Sequence, residues 1–129
     1  MKRVTGIGGI FFKVNDPQAL GEWYSKHLGL ELEEHSPMTT FSWREKDDPQ
    51  AEGATVWALF PQQTEYFGDP GNTFMINYRV DDLDALVAAL RQEGVTIHGE
   101  IQASEYGRFV WITDPEGNRI ELWEAPDKA

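Results

Sequence analysis

The 129-residue chain has no cysteine. That absence excludes disulfide staples and thiolate metal ligands, and it is compatible with a reducing compartment. Basic residues are few: 11 Lys and Arg stand against 22 Asp and Glu, for a formal charge of −11. Nucleic-acid binding draws on clustered Lys and Arg, so this balance argues against such a partner. No apolar run approaches the roughly 20 residues of a membrane-spanning helix. The basic opening MKRVTGIGGIFFKVND passes straight into charged sequence without a cleavage site, so no signal peptide is expected. These exclusions lead to the expectation of a cytoplasmic protein with neither a membrane nor a nucleic-acid partner. What the chain has in quantity is aromatic: five Trp, four Tyr and seven Phe, more tryptophan than a small core usually needs.

From Gly9, the residues Ile10, Phe12 and Val14 alternate with Phe11 and Lys13, which is strand periodicity. Asn15-Asp16-Pro17 then reads as a helix start, with Asp16 as N-cap and Pro17 in the first turn. Leu20, Trp23, Tyr24, His27 and Leu28 follow at helical spacing, and Gly29 ends the helix. The same order returns at Met75. Ile76, Tyr78 and Val80 alternate with Asn77 and Arg79, Asp82 caps a helix carrying Leu83, Leu86, Val87 and Leu90, and Gly94 ends it. A constant shift sets Val14 on Val80, Asp16 on Asp82, Ala19 on Ala85 and Leu20 on Leu86, an internal repeat.

Strand-like stretches follow each helix: 30–34, 39–44 and 54–60 in the first half, and 95–101, 108–113 and 118–124 in the second. Asp114-Pro115-Glu116-Gly117 joins the last two as a type I turn. The expected fold is α+β, with two tandem βαβββ modules (about 5–60 and 73–125, linker 61–72) forming one domain. Its curved mixed β-sheet would make a cleft, with the helices on the outer face.

Aliphatic faces Ile10/Phe12/Val14, Val56/Ala58/Phe60, Ile76/Tyr78/Val80 and Ile120/Leu122 are expected under the helices. The opposite faces carry Gly9/Phe11/Lys13, Thr55/Trp57/Leu59, Met75/Asn77/Arg79 and Arg119/Glu121/Trp123, with Phe109 and Trp111 on a fifth strand. A mixed aromatic and polar face of this kind suits a small-molecule pocket. The reading with no ligand is that the aromatics fill the cleft, and that Lys13 and Arg79 reach solvent from strand ends. Tyr66 and Phe67 of the linker either close over the cleft or pack down. His27 ends a helix, and His35 and His98 read as surface residues.

The paired modules, the strand-Asp-Pro-helix opening, the VDDLDAL segment (Val80 to Leu86) and the DPEGNRIELWE ending (Asp114 to Glu124) resemble the vicinal oxygen chelate superfamily. That superfamily includes glyoxalase I, extradiol dioxygenases, and the fosfomycin- and bleomycin-resistance proteins. The resemblance covers about residues 5 to 125 and implies a β-sheet cleft in a homodimer. In the metal-dependent branches it also implies a divalent ion, held by His, Glu or Gln from the first and last strands of each module.

This chain departs from that ligand pattern. The matching positions are Gly9, Met75, the neighbourhood of Trp57, and Glu121, and only Glu121 has a suitable donor. No metal and no other cofactor are therefore expected, with non-standard ligands the only route to a divalent ion. The ligand-binding candidates are Phe11, Lys13, Trp57, Met75, Asn77, Arg79, Trp111, Arg119 and Trp123. Glu121 is the candidate catalytic residue, because a carboxylate among aromatics is suited to proton abstraction. Its alternatives are a pairing with Arg119 or Lys13, or metal ligation with other partners. The functional expectation is a metal-free protein binding a small organic molecule. Beside it stand a glyoxalase-like lyase or isomerase and an interaction module with a filled cleft.

Overall fold

A computed structural model describes residues 3–33 and 36–126 of the chain. The elements in order are β1 (Val4–Val14), α1 (Pro17–Leu28), β2 (Met38–Arg44), β3 (Glu52–Pro61), β4 (Phe74–Val80), α2 (Leu83–Gln92), β5 (Thr96–Ser104), β6 (Gly107–Thr113) and β7 (Arg119–Glu124). They form two compact units. The first is Gly9–Phe74; the second takes the chain up to Gly8 and from Met75 onward. Strand β1 is divided between them.

In the first unit β1 runs parallel to β3, and β2 is antiparallel to β3. Asp16 caps α1 as the sequence predicts, its Oδ1 accepting from the Ala19 amide at 3.0 Å. Gly29 closes the helix in the left-handed region at φ 70°, with its N–H on the Ser25 carbonyl. Glycine adopts that conformation without a Cβ penalty.

Two expectations for this unit fail. The stretch 30–33 forms no strand, and Glu34 and His35 lie outside the described residues. Among the described residues the first module is therefore βαββ. Leu30 and Leu32 alternate with Glu31 and Glu33, a pattern that mimics a strand. Glu33 N instead donates to Met38 O at 2.8 Å, and the Leu32 side chain packs on Gly21 of α1. The face assignment of β3 is also reversed. Ile10 is in register with Trp57 and Phe11 with Ala58, and parallel partners in register share a face. Trp57 therefore packs edge-on against Phe12 and against Tyr24 of α1 (centroids 5.8 and 4.9 Å). Val56, Ala58 and Phe60 take the Phe11 side.

In the second unit β4 is parallel to β7, while β7–β6 and β6–β5 are antiparallel. Both units combine mixed pairing with one helix, so the chain is α+β as expected. Val80, Val110 and Leu122 from the sheet meet Leu83, Leu86 and Val87 of α2 in a buried core, flanked by Tyr78, Ile112 and Ile120. This is the aliphatic face read from the alternation. The N-terminus of α2 receives two carboxylates: Asp82 Oδ1 accepts from Ala85 N (3.1 Å), and Glu124 Oε1, from the last strand, accepts from Leu83 N (2.8 Å). Arg108 bridges the same corner, with two hydrogen bonds to Asp84 at 2.7 and 2.9 Å. The 114–117 turn forms as predicted. Gly117 N donates to Asp114 O, and the Asp114 side chain accepts from Glu116 N, Asn118 N and Asn118 Nδ2.

No helix among the described residues is long and apolar enough to cross a membrane.

Candidate ligand-binding face

The registers of β4, β7, β6 and β5 set the non-helical face of the second unit out as a lattice. Across the strands run Arg119–Thr113, then Asn77–Glu121–Trp111 with His98, then Arg79–Trp123–Phe109, and Met75 takes the same face two residues before Asn77 on β4. The middle row is a hydrogen-bonded chain. Asn77 Nδ2 donates to Glu121 Oε1 at 2.5 Å, and Trp111 Nε1 donates to Glu121 Oε2 at 2.9 Å. Both carboxylate oxygens therefore receive N–H groups, the arrangement a buried carboxylate requires. Met75, Asn77 and Glu121 are 0%, 2% and 1% exposed. They are a floor rather than a surface.

Asn77 Oδ1 is buried without a partner among the described residues. It lies against Gly8 of β1, where an added Cβ would overlap it and would also sit 2.9 Å from Arg79 Cγ and from Trp123 Cε3. The close approach of β1 is possible because position 8 has no side chain.

Around this floor the side chains are partly exposed. The Arg79 guanidinium lies 4.9 Å from the Trp123 ring, which stacks on Phe109 with planes 2° apart. Trp123 Nε1 is anchored on Tyr106 O at 2.8 Å. Arg119 lies 5.8 Å from the Trp111 ring. Guanidinium–ring contacts of this kind orient both partners.

Of the residues singled out from the sequence, Met75, Asn77, Arg79, Trp111, Arg119, Glu121 and Trp123 thus share one face. Thr113 and His98 join them, linked by a 2.5 Å hydrogen bond between Thr113 Oγ1 and His98 Nε2. Sequence reasoning set His98 aside as a surface residue. It is in fact partly buried and opposite Trp111, and its alternation with Ile97 across β5 was the available signal.

Phe11 and Lys13 belong to the first unit. Phe11 contacts Phe60, on which Tyr66 stacks (10° between planes) and Phe67 packs, Phe67 being fully buried. Lys13 is 9% exposed, with Nζ on Pro70 O at 3.2 Å and 5.8 Å from the Phe67 ring. The linker therefore packs down over this face, and Lys13 is held by it rather than extending to solvent. Trp57 lies on the opposite side, under α1.

A family model for the Glyoxalase/Bleomycin resistance protein/Dioxygenase superfamily matches residues 6–122. The chain belongs to that superfamily. Among solved structures, this glyoxalase-superfamily chain is similar to methylmalonyl-CoA epimerase from Streptomyces coelicolor, solved as a variant in complex with 2-nitronate-propionyl-CoA. The two share 22% identity and a TM-score of 0.67, over 96% of this chain and 99% of that one. Methylmalonyl-CoA epimerase from Mycobacterium tuberculosis matches at 24% identity and TM-score 0.60, over 98% and 92%. A glyoxalase/bleomycin resistance protein/dioxygenase superfamily member from Vibrio splendidus 12B01 matches at 10% identity and TM-score 0.59, over 92% and 97%. Identities this low establish a shared fold. No curated protein matches the chain.

Superfamily members often use a divalent metal, and the donors here do not fit one. Gly9 has no side chain, and Met75 offers only a buried thioether. Trp57 lies under α1, and its neighbours Val56 and Ala58 are apolar. Glu121 is the one oxygen donor at these positions, and both its oxygens already accept hydrogen bonds. Hard divalent cations select oxygen and imidazole donors over thioether. Among the described residues no three His, Cys, Asp or Glu side chains come together as a metal-binding group.

Proposed function

We propose that this superfamily member binds a small organic molecule against the Trp111–Trp123 face of its second unit, without the divalent metal that relatives often use. The observation that carries this reading is the grading of that face from a sealed floor to an accessible flank. Met75, Asn77 and Glu121 are buried, whereas Phe109, Trp111, Arg119 and Trp123 are partly exposed. Aromatic rings fixed beside guanidinium groups suit a flat, partly apolar ligand with a polar end. Glu121 serves as the acceptor that fixes Trp111 and Asn77. Acting instead as the proton acceptor of a lyase or isomerase, it would have to release one of those donors. By superfamily habit the working form is a homodimer.

Titration of the protein with flat aromatic ligands, followed by tryptophan emission, is expected to give saturable quenching that weakens in Trp111→Phe. The absence of any response across chemically diverse ligands would favour an interaction module instead. Elemental analysis finding one equivalent of a divalent metal in protein purified without chelator would overturn the metal-free part.

A further inference from the structure

Most arginines of the chain have carboxylate partners. Arg3, Arg44 and Arg91 each pair with one and Arg108 with two, as expected with acidic residues in twofold excess. Arg119 differs. Its Nε is buried with no acceptor among the described residues, and its guanidinium lies against the Trp111 ring. Desolvating a guanidinium N–H without an acceptor is costly unless something else supplies the acceptor.

The neighbours of Arg119 point to what that acceptor is. Thr113 is its register partner across β6 and β7, which brings their β carbons to roughly 5 Å on one face. The Thr113 hydroxyl is in turn bonded to His98 Nε2, and His98 shares the face as the partner of Trp111. A guanidinium, a hydroxyl and an imidazole, all partly exposed, therefore gather at one end of the lattice, with the Trp111 ring alongside. The nearby carboxylate of the lattice, Glu121, already accepts from Asn77 and Trp111 on its two oxygens.

We propose that Arg119, Thr113 and His98 form an oxyanion subsite that receives the carboxylate of a small aromatic acid, with its ring against Trp111. This rests on the reading of the face as a small-molecule site and adds the class of ligand. A planar fork such as Arg119 matches a carboxylate in two parallel hydrogen bonds. The adjacent flat ring suits a planar acid better than a tetrahedral dianion.

The test compares benzoate, phenyl phosphate and benzyl alcohol by tryptophan quenching on wild type and Arg119→Gln, with melting curves to check folding. Wild type is expected to hold benzoate about tenfold tighter than benzyl alcohol, the size of a charge-assisted hydrogen bond. That ratio should fall to about one in Arg119→Gln. Benzoate should also shift the His98 ring signals in the NMR spectrum of wild type, a readout that needs no variant. Equal binding of benzoate and benzyl alcohol would overturn the subsite while leaving the aromatic face standing as a binding site. No binding of any of the three would overturn the underlying reading as well. A preference that survives Arg119→Gln, or an unmoved His98, would sink the assignment to these residues. Phenyl phosphate binding with benzoate no better than the alcohol would replace the carboxylate with a phosphate.

Discussion

Gly8→Ala is the most direct test of how the floor of the candidate site is built. A Cβ at position 8 would overlap Asn77 Oδ1 and stand 2.9 Å from both Arg79 Cγ and Trp123 Cε3. None of the three can retreat easily. Asn77 is held by its hydrogen bond to Glu121, Arg79 lies on the Trp123 ring, and Trp123 is fixed by Tyr106 O and by stacking on Phe109. Overpacking of this kind costs about 1–3 kcal/mol, and loss of the Asn77–Glu121 bond adds about 1.5–3 kcal/mol because the acceptor is charged. Against this, alanine stiffens the unfolded chain by about 0.4–1 kcal/mol. The expected net loss is about 2 kcal/mol or more, a fall in melting temperature of roughly 8 °C for a chain of this size. Chemical denaturation of Gly8→Ala, Asn77→Ala and the double variant supplies the decisive comparison. The double variant should lose less than the two single losses combined, because removing Asn77 relieves the worst overlap. A melting temperature equal to or above wild type, or strictly additive losses, would refute the reasoning.

Glu121→Gln should destabilise the second unit by about 1.5–3 kcal/mol, since the new amide turns an N–H toward either Asn77 or Trp111 where an acceptor stood. An unchanged denaturation midpoint would contradict the network. Acid should weaken the fold through groups held below their ordinary range: Asp114 by the Asn118 side chain, Asp84 by Arg108 and Glu93 by Arg3. Depressed folded values give stability that is present above the unfolded value, 3.8 for Asp, and lost as pH falls below it. Melting curves across that range should therefore drop, and Asp114→Asn should flatten the drop; an identical profile for the variant would remove Asp114 from the account. Arg108→Met should lower the melting temperature more at low salt than at high salt, because its nearer partner, Asp84, is exposed and screened. A loss independent of salt would assign the effect to packing alone.

The second unit was nearly all legible from the sequence, and the first was legible in β1, α1, β2 and β3 but not in the faces of β3 or in the stretch 30–33. Strands β4, β6 and β7 announce themselves because one face is consistently apolar and largely aliphatic: Tyr78, Val80, Val110, Ile112, Ile120 and Leu122 join the core around α2, and the reverse face collects the polar residues with Phe109, Trp111 and Trp123. In β3 both faces are apolar, with Val56, Ala58 and Phe60 against Trp57 and Leu59. Alternation there cannot say which side meets the helix, and the large Trp57 ring took the side where Tyr24 could cover it. The stretch 30–33 alternates as well as a strand does, but Leu32 found its partner on α1. Thr113 carries no sequence signal of its own, and His98 none beyond its alternation with Ile97. They became visible only when β6–β7 pairing set Thr113 beside Arg119 and β5–β6 pairing set His98 opposite Trp111.

The capping of α2 by Glu124 has a kinetic side. Leu83 N and its acceptor are 41 residues apart, so the first turn of the helix is completed by the last strand of the chain. Local helix formation can begin from Asp82, but the Leu83 amide is satisfied only once β7 has found its place between β4 and β6. Closing so long a loop is slow compared with winding a turn of helix. The Leu83 amide should therefore exchange its proton only when β7 leaves the sheet, which makes that amide a reporter on the cooperative opening of the whole unit rather than on fraying of a helix end.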